Sequence, residues 1–323
     1  MSTQHTTNPA YDASFVGFYC LDILGVPVEV IPPGGQCYFI DDIRLTVAGT
    51  AGGSVVDAAK LGINCLALGA VGDDEKADFM LSKLESFGVD TSVMRRYPGV
   101  STSSSILTIR PDGSRPALHV RGVSDRFELS EAAMSKAIDA KVVHFGGTGL
   151  LAKLDGQPTV DLMQAAKKAG RITTYDLIAA RKETVELVLP VLPFVDYFMP
   201  SIDEAAVMCG NDNVDYCADY FLAAGAKVVA ISLGADGSLI AGQNGERFHV
   251  PAHDIQVLDT TGCGDAYSAG FVVGLVKGMD LEQCARFATA CGALVATGLG
   301  SDAGILSFDD TMKAMNNLPK RGR

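Results

Sequence analysis

Short β-branched apolar runs alternate along this chain with longer segments whose apolar residues recur every three or four positions. The runs are SFVGF (14–18), NCLALGA (64–70), KVVHFG (141–146), RITTYD (171–176), VDYFM (195–199) and KVVAISL (227–233). Their length and near-continuous hydrophobicity predict strands covered on both faces. Between them, DEKADFMLSKLESFG (74–88), PTVDLMQAAKKAG (158–170) and VDYCADYFLAAG (214–225) carry the helical period. Such helices close on glycine, which adopts the left-handed cap at least cost. The alternation predicts βαβ units, hence an α/β fold with a central, mostly parallel sheet and helices on both faces.

Two stretches break the alternation. Residues 26–50 hold VPVEVI, a Pro-Pro-Gly-Gly turn and another extended run, and 103–121 read SSSILTIR-PDG-SRPALHVR, a hairpin turning at Pro111-Asp112-Gly113. Neither contains a helical pattern. They predict a small β-sheet lid, built from about 24–50 and 98–123, on a single α/β body over 14–323 that follows a loose tail at 1–13. In the last third, AYSAGFVVGLVKG (266–278) is apolar nearly all round and predicts a buried helix, while the small residues of LEQCARFATACGALVATG (281–298) predict close packing.

Composition narrows the functional classes. With 48% apolar residues in 323, the chain has material for a large core, which excludes global disorder. Lys and Arg number 26 against 38 Asp and Glu, so the net charge is −12 and the surface repels phosphate backbones; broad nucleic-acid binding is not expected. No apolar run reaches the ~18 residues of a membrane helix, and the polar start MSTQHTTNPAYDAS does not read as a secretory signal. Eight cysteines without CxxC spacing, mostly inside apolar stretches, predict buried thiols in a reduced, cytoplasmic protein, and five histidines without ligand spacing predict no transition-metal site.

The chemistry concentrates in Asp259-Thr-Thr-Gly262-Cys263-Gly264-Asp265, which enters the buried helix. Helix N-termini present unpartnered N–H groups and a positive dipole end, and glycines let an anion approach them. A carboxylate at Asp265 beside such a hole could take a proton from a hydroxyl that attacks the anion; it could equally do no more than stabilise the first helical turn. No GxxxxGK[ST] or GxSxG is present. Gly147-Thr-Gly149-Leu-Leu-Ala152 fits a dinucleotide fingerprint after a strand, but a Lys-Leu-Asp-Gly break follows where its helix should run, which leaves a nicotinamide oxidoreductase the weakest reading. His144 reads as a packed strand residue, and Arg95 and Arg96 as solvated.

DTTGCGDAYSAGF resembles the C-terminal signature of the ribokinase/PfkB family of carbohydrate kinases, D-T-x-G-A-G-D-x-F, and further matches follow in order over nearly the whole chain. Asp22 resembles the family's substrate-binding aspartate; AGTAGGSVVDAAKLG (48–62) resembles the segment that lines the sugar pocket, placing Gly49 and Gly53 near substrate; PSIDEA (200–205) resembles its P-N-x-x-E element. SLGADGS (232–238) resembles the nucleotide-side glycine turn, with Ser232, Gly234 and Gly237, and FATACGALVATGLG (287–300), with Thr289, resembles the helix beside the adenine. The resemblance implies a ribokinase-like fold and transfer of the γ-phosphoryl group of ATP to a hydroxyl of a small sugar or sugar acid. It makes Asp265 the base, Gly262, Cys263 and Gly264 the anion hole, and Glu204 the residue that orders magnesium-bound water. It assigns Asp259 and Thr261 to a monovalent (K+) cation site. It implies ATP, Mg2+ and a small sugar as partners. A homodimer through the lid is expected because the lid's exposed β face needs cover. Alternatives are a nucleoside kinase of the same fold and a non-catalytic sugar-binding sensor on the scaffold. The chain departs from the pattern at Cys263 (Ala in the family), Ser201 (Asn), Gly53 (often Asn) and after Asp176, where D-x-N-x-R reads D-L-I-A-A. Ser201 is expected to alter metal handling, Cys263 to be oxidation-sensitive, and Gly53 to forgo a contact with sugar hydroxyls.

Overall fold

The computed structural model describes residues 8–112 and 114–322. The chain opens with β1 (Tyr11–Gly17), leaves the body for β2 (Cys20–Val26) and β3 (Asp42–Ala48), and returns through α1 (Thr50–Lys60) to β4 (Cys65–Leu68). A short pair, β5 (Ala70–Val71) and β6 (Arg95–Arg96), flanks α2 (Glu75–Ser86), and the hairpin β7 (Ser104–Thr108) and β8 (Ala117–Val120) follows. Helix α3 (Glu131–Ala137) leads into β9 (Ala140–Thr148), α4 (Gln157–Lys168) into β10 (Ile172–Leu177), α5 (Thr184–Val188) into β11 (Tyr197–Phe198), and α6 (Ile202–Cys209) with α7 (Val214–Ala223) into β12 (Val228–Ser232). The antiparallel β13 (Ser238–Gly242) and β14 (Arg247–Val250) precede α8 (Cys263–Val276), α9 (Leu281–Ala296) and α10 (Phe308–Asn317).

The central sheet runs β14-β13-β12-β11-β10-β9-β1-β4 and is parallel from β12 to β4. Every strand expected from the apolar runs is present. The run at 64–70 is interrupted: β4 ends at Leu68, and Ala70 pairs with Arg95 instead. Side chains alternate across the sheet with the period of the pleat. Phe15 packs on the side of α1, α8 and α9, and Val16 on the side of α4 and α7. Helix α8 is buried along Ala266–Gly274, as its uniformly apolar pattern requires. Among the described residues no helix is long and apolar enough to cross a membrane.

The lid is a four-stranded sheet, β3-β2-β7-β8. It starts at Cys20 rather than near 24, because β2 pairs with β3 along its whole length, from Cys20↔Ala48 to Val26↔Asp42, and it ends before Thr50, which opens α1. The β7–β8 hairpin is present; Gly113 of its expected turn lies outside the described residues. Of the tail expected over 1–13, residues 1–7 lie outside the described residues, and Tyr11 is already in β1. It is held there by pairing with Ala140 and by a hydrogen bond from its hydroxyl to Asp90.

Strand order reverses between β1 and β9, since the chain builds β4 on one side of β1 and the later strands of this sheet on the other. In open α/β sheets the crevice beyond the strands' carboxyl ends at such a point is where ligands bind. Here β1 feeds straight into the lid, so the lid overhangs that crevice.

Candidate active site

The carboxyl ends of the strands and the lid's inner face enclose a cavity of about 520 Å³. Asp176 enters it from β10, Ser201 and Glu204 from the start of α6, Gly49 and Thr50 from the start of α1, Gly264 and Asp265 from α8, and Asp22, Ser105, Arg115 and His119 from the lid. At Ser232, Thr260, Gly264 and Tyr267 it meets a second, apolar slot of about 250 Å³. That slot is lined by Ser232, Gly234, Gly237 and Thr289, the four residues expected beside the nucleotide, together with Val257 and Ala293.

The two spaces meet at the first turn of α8. Gly262, the N-cap, has φ 79°, and a Cβ there would lie 2.4 Å from the Cβ of Ser301, so only glycine closes this turn. Gly264 faces open space. Asp259, fully buried, fixes the loop: Oδ1 accepts from Thr261 N (2.9 Å) and Oγ1 (2.7 Å), and Oδ2 accepts from Gly300 N (2.9 Å). The same segment is tied to the lid, because Ser301 Oγ donates to Val47 O (2.9 Å) and Arg44 pairs with Asp302 (2.8 Å). From above, Arg115 Nη1 donates to Thr261 Oγ1 at 3.2 Å.

Asp265 sits where that turn opens into the larger cavity. Burial raises its pKa to about 7, the charges of Asp22 and Glu204 push in the same direction, and Arg115 opposes them. Space for the carboxyl comes from Gly53 in α1: a Cβ there would stand 2.7 Å from Asp265 Oδ2. Gly53 was expected to face the substrate; it lies instead behind Asp265, off the cavity wall, because any side chain would occupy the carboxylate's place. One residue on, Ser54 Oγ donates to Asp265 O (2.9 Å), fastening α1 to the turn.

Asp22, 6% exposed, is raised chiefly by burial, and its Oδ1 accepts from Cys20 Sγ at 3.1 Å. Ser201 and Glu204 form a capping box: Glu204 Oε2 accepts from Ser201 N (3.0 Å) and Oγ (2.8 Å), and Ser201 Oγ accepts from Glu204 N (3.3 Å). The shorter side chain at 201 therefore serves as the cap that holds Glu204 toward the cavity. Asp176 is also raised, first by burial and then by Glu204 and Asp265, and accepts from Ser268 Oγ at 2.9 Å. The Cys263 thiol is pushed up to about 12 by burial, which disfavours the thiolate.

Three cavity residues escape the sequence motifs. Ser105, Arg115 and His119 lie in a hairpin with no signature of its own, and only its strand alternation indicates which side chains point inward. Asp176 was visible as the end of a strand and the first residue of a D-x-N-x-R pattern that the chain does not complete. His144 is a packed strand residue, bonded through Nδ1 to Thr174 Oγ1 (2.9 Å) and lowered to about 4 by burial. Arg95 lies over the Tyr97 ring and Arg96 pairs with Asp73 and Asp78, both at the surface and off the cavity. After Gly147 and Gly149 no helix begins until Gln157, so the dinucleotide fingerprint lacks its helix.

Residues 39–307 match the family model described as "pfkB family carbohydrate kinase". The chain is 28% identical over 321 residues to an ATP-dependent 6-phosphofructokinase of Thermoanaerobacterium thermosaccharolyticum, covering 96% of this chain and 95% of that one. It is 27% identical over 278 residues to Fructokinase-1 of Oryza sativa subsp. japonica, covering 81% and 86%. The structure of Arabidopsis thaliana ribokinase complexed with ribose and ATP superposes with a TM-score of 0.81 at 22% identity, covering 95% of this chain and 99% of that one. The chain belongs to the PfkB family of carbohydrate kinases and has the ribokinase fold; it is a phosphotransferase.

Proposed function

We propose that this kinase transfers the γ-phosphoryl group of ATP to a hydroxyl of a small sugar held between Asp265 and the lid, with Asp265 as the base. The observation that carries the reading is the placement of Asp265. A carboxyl with a pKa near 7 stands at the first turn of a helix, where the dipole is positive and Gly264 faces open space, at the junction of an apolar slot and a polar cavity. The slot takes the nucleotide, lined by Ser232, Gly234, Gly237 and Thr289. The γ-phosphate lies against Gly262, Cys263 and Gly264, where a helix N-terminus and Arg115 meet charge that spreads over the phosphoryl oxygens. The acceptor lies against Asp22 and Gly49, and Asp265 removes its proton as the oxygen attacks. Gly53 contributes by leaving room for the base.

Asp176 and Glu204 suit a magnesium ion held through water: both carboxylates are raised first by burial, Asp176 also by the charge of Glu204 and Glu204 by that of Asp203, and a cation there would relieve both. Magnesium would neutralise phosphate charge during transfer. Asp259 spends its carboxylate on Thr261 and Gly300, so a K+ ion at this loop would be met by main-chain carbonyls, with Asp259 and Thr261 holding the loop in shape. The outer lid face exposes Ile43, Leu45, Ile106, Leu118 and Val120, which fits cover by the lid of a second copy. A monomeric mass in solution would contradict that dimer. Eight free cysteines fit a reducing cytoplasm.

The test is ADP formation from MgATP, with and without potassium, across ketoses, aldoses, sugar acids and nucleosides. Acceptor-dependent turnover that Asp265→Asn abolishes supports the reading. An Asp265→Asn variant that turns over like wild type removes Asp265 from the role of base.

A further inference from the structure

The acceptor half of the cavity carries a hydrogen-bonding row that phosphoryl transfer itself does not require. The lid's strand register places Asp22 opposite Ser105 and Ser105 opposite His119, so three neighbouring strands present these side chains on one face, toward the cavity. The row is internally connected. Ser105 Oγ and His119 Nδ1 are 3.1 Å apart, and Cys20 Sγ, two residues before Asp22 and on the same face, donates to Asp22 Oδ1 at 3.1 Å. The His119 ring meets Phe18 edge-on, with centroids 5.9 Å apart. With Nδ1 engaged and the ring held, Nε2 is the nitrogen left to read a ligand. Partial burial lowers the histidine and the charge of Arg121 adds to this, while Asp22 opposes them.

The charges around this row are as informative as its hydrogen bonds. Among the described residues that line the cavity, Arg115 alone carries a fixed positive charge, and its guanidinium is directed to Thr261 at the phosphoryl end. The acceptor end is left with Asp22, buried and acidic, and with the uncharged Ser105, Phe18, Ala117 and Leu150. A phosphate or carboxylate on the acceptor would be desolvated beside Asp22 without a cation to meet it. Hydroxyl groups, which donate to Asp22 and exchange hydrogen bonds with an imidazole, suit the row.

Resting on the kinase reading above, we infer that the acceptor is an uncharged polyhydroxy compound whose hydroxyls are read by Asp22 and His119, and that sugar phosphates and sugar acids are rejected. His119 is thereby a specificity-determining residue, and Ser105 the residue that positions it. This separates the chain from its relative named a 6-phosphofructokinase.

The experiment measures kcat/KM with MgATP for D-fructose, D-ribose and inosine against fructose 6-phosphate and 2-dehydro-3-deoxygluconate, in wild type, His119→Ala, His119→Gln and Ser105→Ala. We expect the best uncharged acceptor to exceed both anionic ones by about 100-fold or more. His119→Ala should raise the acceptor KM about tenfold, the weight of one hydrogen bond, with kcat and the KM for ATP held within twofold. His119→Gln, which keeps a donor and an acceptor, should recover part of that loss, and Ser105→Ala should show a smaller rise. Preferred turnover of fructose 6-phosphate or of the sugar acid overturns this inference and leaves the kinase reading standing, as does an acceptor KM unmoved in His119→Ala. Failure of every acceptor to release ADP overturns the kinase reading and this inference with it.

Discussion

The smaller slot is walled by Gly234, Ala235, Gly237, Val257 and Ala293, while the larger cavity is ringed by Asp22, Asp176, Glu204 and Asp265; the two meet at Gly264. One half offers shape and main chain, the other converging carboxylates raised by burial, with Asp176 and Asp265 raised further by neighbouring acids. The slot proposed for the nucleotide draws on the β12–β13 turn, the 252–257 segment, the start of α8, the middle of α9 and Arg321. The acceptor half is assembled from the lid strands, α1, β10 and α6, far apart in the chain. A site made of backbone and small residues tolerates exchange of side chains that do not enter it. A site made of side chains does not.

Asp265→Asn attacks the junction of the two halves and should have the largest effect. We expect kcat to fall by about 10³, within the usual range for a positioned base, in an ADP-release assay. The same variant should be at least as stable as wild type. The folded-state pKa of Asp265 lies above its unfolded value, so the stability gained from binding that proton is full at low pH and is lost as pH rises toward and through 7. Asparagine is neutral throughout, and at pH 8 its melting temperature should equal or exceed that of wild type by roughly 2–4 °C. A large loss of stability would mean that Asp265 is a structural cap.

Gly53→Ala comes next. Alanine suits the interior of α1, but its Cβ would lie 2.7 Å from Asp265 Oδ2, so the carboxyl must move. Displacement of a reacting group by about 1 Å costs about 100-fold, and kcat should fall by that order while the circular dichroism stays unchanged. Asp22→Asn tests the acceptor half alone: the acceptor KM should rise by about 10- to 100-fold, as when a hydrogen bond to a charged group is lost, with the KM for ATP within twofold. Thr289→Val tests the other half and should do least. Thr289 Oγ1 already donates to Ala285 O (2.8 Å) within α9, so the KM for ATP should change less than about threefold.

This contrast also explains what could be read from the amino-acid sequence. The order of strands and helices followed from apolar periodicity, because strands buried on both faces have little freedom of composition. The slot proposed for the nucleotide was partly legible because several of its parts are short contiguous motifs, and all four residues expected there line it. In the larger cavity, Asp22, Gly49, Glu204 and Asp265 were legible. Ser105, Arg115 and His119 reach it through lid register, which depends on pairing between β2, β7 and β8 across about a hundred residues. Gly53 was noticed for the right segment and given the wrong neighbour: its absent side chain faces Asp265, a contact between α1 and α8. Ser201 was noticed as a departure from the family pattern, and what the motif did not show is that it caps α6 and orients Glu204.

The most direct test is the pH dependence of kcat/KM for the acceptor between pH 5 and 9. A base with a pKa near 7 is protonated and idle below that value, so the rate should climb about tenfold per pH unit to near pH 7 and then level off. Asp265→Asn should be lower throughout and lack the limb. A wild-type profile that is flat from pH 5 to 9, or an Asp265→Asn profile that keeps the same limb and height, would contradict the assignment of Asp265 as the base.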